Sequence, residues 1–301
     1  MTSSQLASIF LGILFVSGAA GAAEKSASAE KPMQVHDLAS PFVEVWDRNA
    51  GKSQDEFVKD FKSSIGKRFP EFYGVERYDG KKTEAQRDQQ IAAAHAEFPK
   101  LRDAYVQKTA QFTKDLPVHL ATFKAVFADY AAGRDIWFVH SLGEMDGGTR
   151  SFKGREYFIF GADVMVKAHG KGNEAAFFHH ELFHDYHDTK CSDAKIWVSL
   201  WSEGLATYVS KTMNPSATNA ELLIDIPSGL VPDTQRQLSL ALDDLYASMD
   251  KVDPEAYGGL FMMRGDKTGL PSRRGYYLGY LVAQEAGKQY NVRQLARLEC
   301  D

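Results

Sequence analysis

The sequence predicts an α+β fold that is mostly helical, in which a small sheet packs on a histidine-rich helix and a helical C-terminal lobe follows. Three observations predict it. Apolar and aromatic residues recur at helical spacing before residue 134 and again after residue 195. Two short β-prone runs, Ile136 to Val139 and Tyr157 to Phe160, lie between these stretches. Directly after them, four of the nine histidines fall between His179 and His187. With 301 residues and 44% hydrophobic content, the chain can bury a substantial core as one large domain or two smaller ones. A formal net charge of −5 and a pI near 6.0 give no electrostatic footprint for a polyanion, so no nucleic-acid partner is expected.

Leu6 to Ala20 is an apolar run followed by Ala20-Gly21-Ala22, an A-x-A-like cleavage site, and residues 1–22 are expected to be a signal peptide despite an n-region without Lys or Arg. The alternative, an uncleaved anchor, needs about 20 apolar residues, more than the strongly apolar part supplies. The mature chain is therefore expected to begin near Ala23, to carry no membrane span and to be exported, either periplasmic or secreted. Residues 23–38 are rich in Ala, Ser, Lys and Glu and are expected to be a flexible leader. Cys191 and Cys300 suit either one disulfide in an oxidising compartment or two free thiols.

Residues 39–134 are expected to be a helical N-terminal region. Ser53-x-x-Glu56 is a capping-box pattern, followed by Phe57, Phe61, Ile65 and Phe69 at four-residue spacing, which gives an amphipathic helix ending near Pro70. A longer helix begins near Thr83 and carries Phe98, Leu101, Tyr105, Phe112 and Leu116 until Pro117 interrupts it; Leu120, Phe123, Phe127 and Tyr130 form a second series. These aromatic stripes are core. The glycine-rich segment Gly143 to Gly154 is expected to join the two strands as a loop or hairpin, with Gly147-Gly148 as a turn. The histidine helix then begins near Asn173. Lys195 to Met213, about Thr234 to Met249 and Gly275 to Lys288 are further helices, the last with Leu278, Leu281 and Val282 inward, and a glycine-rich connection spans Gly258 to Gly269.

Within the cluster, His180-Glu181-Leu182-Phe183-His184 has the H-E-x-x-H pattern. On a helix the i, i+4 spacing places both imidazoles on one face, where they can hold one metal ion, and zinc is the default for such ligands. Glu181 directly follows the first ligand and is positioned to act as general base on an activated water. Three sources compete for a third ligand. The frame H-E-x-x-H-x-x-G-x-x-H fails, because His187 stands at its glycine and Lys190 at its histidine. His187 itself lies seven residues past His180, roughly 10 Å along the helix axis, too far for Zn–N bonds of about 2.0 Å. Glu203, within Trp201-Ser202-Glu203-Gly204-Leu205, is a carboxylate on an apolar helix that must be either paired or metal-bound.

His180-Glu181-x-x-His184 followed by Glu203 on a second helix resembles the gluzincin zinc metallopeptidases, and Glu203-Gly204-Leu205-Ala206-x-Tyr208 is similar to the second motif of their less-studied members. Gly275-Tyr276-Tyr277-Leu278-Gly279-Tyr280 is also similar to a segment of exported proteins described as predicted Zn-dependent proteases. The resemblance covers about residues 135 to 290. It implies a zincin-like catalytic domain over residues 135–301, zinc on His180, His184 and Glu203, and hydrolysis of a peptide or protein substrate with Glu181 as base and proton carrier to the leaving amine. Tyr276-x-x-Gly279 is similar to the Y-x-x-G motif that supplies the oxyanion donor in related gluzincins, so Tyr276 is implied in that role, with Tyr277 in reserve. Two departures stand out: Thr207 occupies the position where thermolysin-like members carry an Asp that orients a ligand histidine, and no G-x-M-E-N motif appears near Gly161. Arg273 and Arg274 are either a substrate-carboxylate clamp or a solvated basic pair. The alternative function is a non-catalytic exported binding or scaffold protein with a structural or degenerate zinc site, its coordination closed by a residue such as His187 or Asp188.

Overall fold

Four short strands make one sheet, and its outer edge lies beside the histidine helix. In the computed structural model, residues 33–131, 134–169, 174–187 and 194–298 are described. The expected signal peptide, residues 23–32 of the expected leader, Asp188, Cys191 and Cys300 lie outside them. In chain order the elements are β1 (Val35–Asp37), α1 (Ala39–Arg48), α2 (Gln54–Ser64), α3 (Pro70–Tyr73), α4 (Glu84–Val126), β2 (Ile136–Val139), β3 (Gly147–Phe152) and β4 (Arg155–Gly161). There follow α5 (Ala162–His169), α6 (Ala175–His187), α7 (Ile196–Met213), α8 (Leu230–Arg236), α9 (Leu238–Tyr246), α10 (Pro254–Phe261), α11 (Arg274–Ala286) and α12 (Val292–Leu295). The fold is mixed α/β and mostly helical, as the sequence predicts. None of the described helices is long and apolar enough to cross a membrane.

The strand order is β1-β2-β4-β3. β1, β2 and β4 run parallel, with Val35 opposite Ile136 and Ile136 opposite Phe158; β3 runs antiparallel to β4, with Gly147 opposite Phe160. Alternation sends Phe138, Phe158 and Phe160 to one face and Trp137 and Tyr157 to the other. On the first face Phe112 of α4 stacks on Phe138 at 3.8 Å between centroids and contacts Phe160 at 5.4 Å and Phe178 of α6 at 5.2 Å. On the second, Phe69 stacks on Trp137 at 3.9 Å. The main core therefore runs from Leu38 through the sheet to Leu205 of α7 and Ala296 beyond α12, and two smaller clusters form around Leu260 and Leu278 and around Ile224 and Leu230.

The structure differs from the sequence expectation at several points, each with a local cause. Val35–Asp37 of the expected leader is an edge strand, and the Asp37 carboxylate accepts from the backbone N–H groups of Ala39 and Ser40 at 2.9 and 3.0 Å, capping α1. The capping box at Ser53 and Glu56 forms as expected. Pro117 does not interrupt: α4 runs 43 residues through both Pro99 and Pro117. An interior proline costs about 3 kcal/mol, but Leu116, His119 and Phe123 on either side are buried and hold the axis in place. Gly147-Gly148 opens strand β3 instead of forming a turn. The stretch around Thr234 to Met249 is two helices, α8 and α9, and α10 extends through Gly258 and Gly259 into the expected glycine-rich connection. On α11 the inward stripe is Tyr277, Leu278, Gly279 and Ala283, and Val282 is exposed.

Candidate metal centre

α6 divides its faces between core and cleft. Phe177, Phe178, Leu182 and Phe183 are buried, while His180, Glu181 and His184 are half-buried on the side towards β3 and α7. α7 supplies Glu203 from the opposite wall. Its position is set by the crossing of α7 with α11, where Gly204 and Gly279 abut so closely that a Cβ on either would overlap the other helix's backbone.

These helices bring three donor atoms to one point. The Nε2 atoms of His180 and His184 are 3.0 Å apart, and they lie 3.3 and 3.2 Å from Oε2 of Glu203. Two imidazole nitrogens so close together, both facing one carboxylate oxygen, cannot all be joined by well-aimed N–H bonds, since each ring carries its proton in its own plane. A tetrahedral ion bound at about 2.0–2.1 Å separates its ligands by roughly 3.3 Å, so the donor set and its spacing fit zinc. His184 Nδ1 lies 3.3 Å from Ser202 Oγ, which can orient the ring where Thr207 offers no carboxylate. Thr207 instead donates from Oγ1 to the Glu203 carbonyl at 2.8 Å. His187 is buried and stacked on Phe183 and is not part of the cluster. His179 is structural: its ring pairs with Thr122 Oγ1 at 2.8 Å and with Asn214 Nδ2 at 2.9 Å.

Glu181 sits against the start of β3. A Cβ on Gly147 would lie 2.6 Å from Phe177 Cζ and 3.3 Å from Glu181 Cγ. Gly148, at φ +120, would bring a Cβ 3.4 Å from Glu181 Oε2 in a conformation that L residues rarely adopt. The two glycines thus let the edge strand run beside the carboxylate. Burial raises the Glu181 carboxyl above its ordinary value, more than the His180 and His184 imidazoles lower it. Burial also acts to raise Glu203, but there the same two imidazoles prevail and hold the carboxyl well below its ordinary range. The two carboxylates are thus pushed apart, one towards proton acceptance at useful pH and one towards permanent charge.

A cleft of about 380 Å³ opens on this cluster. Asp146, Arg150, Leu223, Tyr257, Arg273 and Tyr276 contribute to its walls. Asp146 is held by a buried chain of charges: its carboxylate pairs with His169 Nε2 at 3.0 Å, His169 Nδ1 lies 3.3 Å from Glu174, and Glu174 accepts from Lys108 Nζ of α4 at 2.5 Å. Tyr276 faces the cleft, whereas the hydroxyl of Tyr277 accepts from Gln235 at 2.7 Å, away from the triad. Burial, reinforced by Glu203 and Glu181, keeps Tyr276 protonated well above its ordinary range. Arg274 is no clamp; it is 1% exposed and paired with Asp244 and Asp266 at 2.6 Å each.

Asp146, Arg150, Ser202 and Tyr257 are not picked out by sequence reasoning. Ser202 adjoins Glu203 in a helix and so had a positional signal; the other three become neighbours of the cluster only through the hairpin and the turn into α10. Comparison of the chain with models of known families, with curated proteins and with solved structures gives no match.

Proposed function

We propose that the chain is an exported zinc-dependent peptidase of the gluzincin type. The observation that carries this reading is the convergence of His180 Nε2, His184 Nε2 and Glu203 Oε2 within 3.3 Å of one another, beside a half-buried Glu181 and in an open cleft. His180, His184 and Glu203 would hold the ion, which when bound supplies Lewis acidity that polarises a carbonyl and acidifies an attacking water.

The chain's own residues then have distinct tasks. Glu181, with its proton affinity raised by burial, accepts the proton of the attacking water and returns it to the departing amine. The Tyr276 hydroxyl remains a donor and can serve the oxyanion that develops on the carbonyl oxygen, a contact worth about 3–4 kcal/mol of barrier in comparable sites. Among the described residues β3 pairs with β4 on one side alone, so its outer edge can receive an extended peptide by strand addition. A closed, structural site would need a fourth protein ligand; among the described residues the metal-ligating group consists of these three. Export rests on the apolar run at Leu6 to Ala20.

The test combines metal analysis with one substitution. Purified protein is expected to hold one zinc per chain, and Glu181→Gln is expected to retain the zinc while losing peptide hydrolysis. Absence of stoichiometric metal, or hydrolysis untouched by Glu181→Gln, would overturn the proposal.

A further inference from the structure

Arg150 of β3 and Arg273 at the head of α11 line the cleft that contains the triad. Among the described residues neither is paired with a carboxylate. Arg150 donates to the adjacent carbonyl of Thr149 at 2.8 Å, and Nε of Arg273 is buried without a hydrogen-bond partner. The neighbouring Arg274, by contrast, takes both nearby acids, Asp244 and Asp266.

Two of the cleft's three acids are engaged elsewhere, Glu203 with the two imidazoles and Asp146 with His169. Glu181, the third, forms no ion pair with either arginine among the described residues. Arg273 is also held in a fixed posture. Its backbone lies at φ 60, in the left-handed region that non-glycine residues rarely adopt. Its guanidinium rests 4.5 Å over the Tyr276 ring, the side chain already assigned to the cleft wall. A strained backbone, a stacked guanidinium and an unsatisfied buried donor on the rim of a substrate cleft together describe a built anion subsite.

We propose that Arg150 and Arg273 bind a carboxylate of the substrate, so that the enzyme acts on peptides bearing a carboxylate near the scissile bond. The carboxylate is supplied either by the free C-terminus or by an Asp or Glu side chain. This inference rests on the peptidase reading given above and deepens it.

The experiment uses zinc-loaded protein and matched N-acetylated peptides. One series ends in a free carboxylate or a carboxamide; a second carries internal Glu or Gln at successive positions. Binding to each peptide is also titrated calorimetrically with Glu181→Gln, so that affinity is read without turnover. The wild type is expected to favour the acid over its amide by about 10–100-fold in kcat/KM, the range of a charge-assisted hydrogen bond. Arg273→Gln and Arg150→Gln are expected to shrink that preference, mostly through KM, and Arg273→Lys to restore part of it. The series that shows the preference identifies the source of the carboxylate. Equal handling of acid and amide in both rate and titration, or a preference that survives both Gln substitutions, would overturn the arginine proposal while leaving the peptidase standing. Hydrolysis of no peptide, with acid-selective and arginine-dependent binding, would do the reverse. Arg150 is exposed, so its variant retains the fold even if Arg273→Gln does not.

Discussion

Gly204 of α7 and Gly279 of α11 meet backbone to backbone, and a Cβ on Gly279 would also overlap the Leu200 carbonyl. Glu203 and Tyr276 lie one residue before and three residues before this crossing, on the two helices that form it. Close approach of the helices is therefore what brings the candidate third metal ligand and the candidate oxyanion donor into one cleft.

Gly204→Ala is expected to force the helices apart. Overpacking of this kind costs about 1–3 kcal/mol, read from a denaturant midpoint. Metal affinity should fall with it, because Glu203 moves relative to α6. A variant with wild-type stability and wild-type zinc affinity would show that the contact does not position the site.

Tyr276→Phe removes the hydroxyl and keeps the ring. Loss of about 10²–10³ in kcat with little change in KM is expected, the signature of a donor used in the transition state. Tyr277→Phe, which gives up only the bond from Gln235, should leave kcat within about threefold.

Metal removal should be visible in stability. An ion held at 100 times its dissociation constant adds about 2.7 kcal/mol, so a chelator is expected to lower the melting temperature by roughly 5 °C or more. His184→Ala should melt at the same temperature with and without chelator. A wild type indifferent to chelator would remove the ion from the folded state.

Acid stability should depend on Glu144. Its carboxylate pairs with Arg87 at 2.7 Å and with Arg77, and accepts from Tyr78. Burial acts to raise its pKa, but these partners lower it from 4.5 to about 2. A depressed carboxylate stabilises the fold above its unfolded pKa. That contribution, up to about 3 kcal/mol, is full above pH 4.5 and is lost as pH falls towards 2. Glu144→Gln should flatten this part of the stability-against-pH curve and destabilise the protein near neutrality, because Arg87 would then be buried with its charge partner gone.

What the sequence discloses about this protein depends on how local the cause is. His180, Glu181 and His184 are readable because one helix repeat fixes their spacing, and Glu203 because a carboxylate in the apolar run of α7 needs a partner. β1 is not readable: Val35-His36-Asp37 is three residues long and partly polar, and it becomes a strand only by pairing with β2 about a hundred residues later. β3 is hidden for another reason, since Gly147 and Gly148 read as a turn yet serve to admit the Glu181 side chain. Pro117 is a local breaker overruled by the packing of Leu116, His119 and Phe123. Arg150 and Tyr257 lie far apart in the chain, and only the folded cleft gathers them beside Arg273, which the sequence offers as one of two possible clamp residues.

The chain of charges from Lys108 to Asp146 ties the N-terminal helices to the cleft. Lys108 and Phe112 belong to α4, yet the first reaches the cleft wall through Glu174 and His169, and the second fills the space between sheet and histidine helix. Residues 39–126 thus cannot serve as a removable prosegment: a protease that excised them would strip one face of the sheet and unseat the floor of the cleft, leaving an unfolded chain.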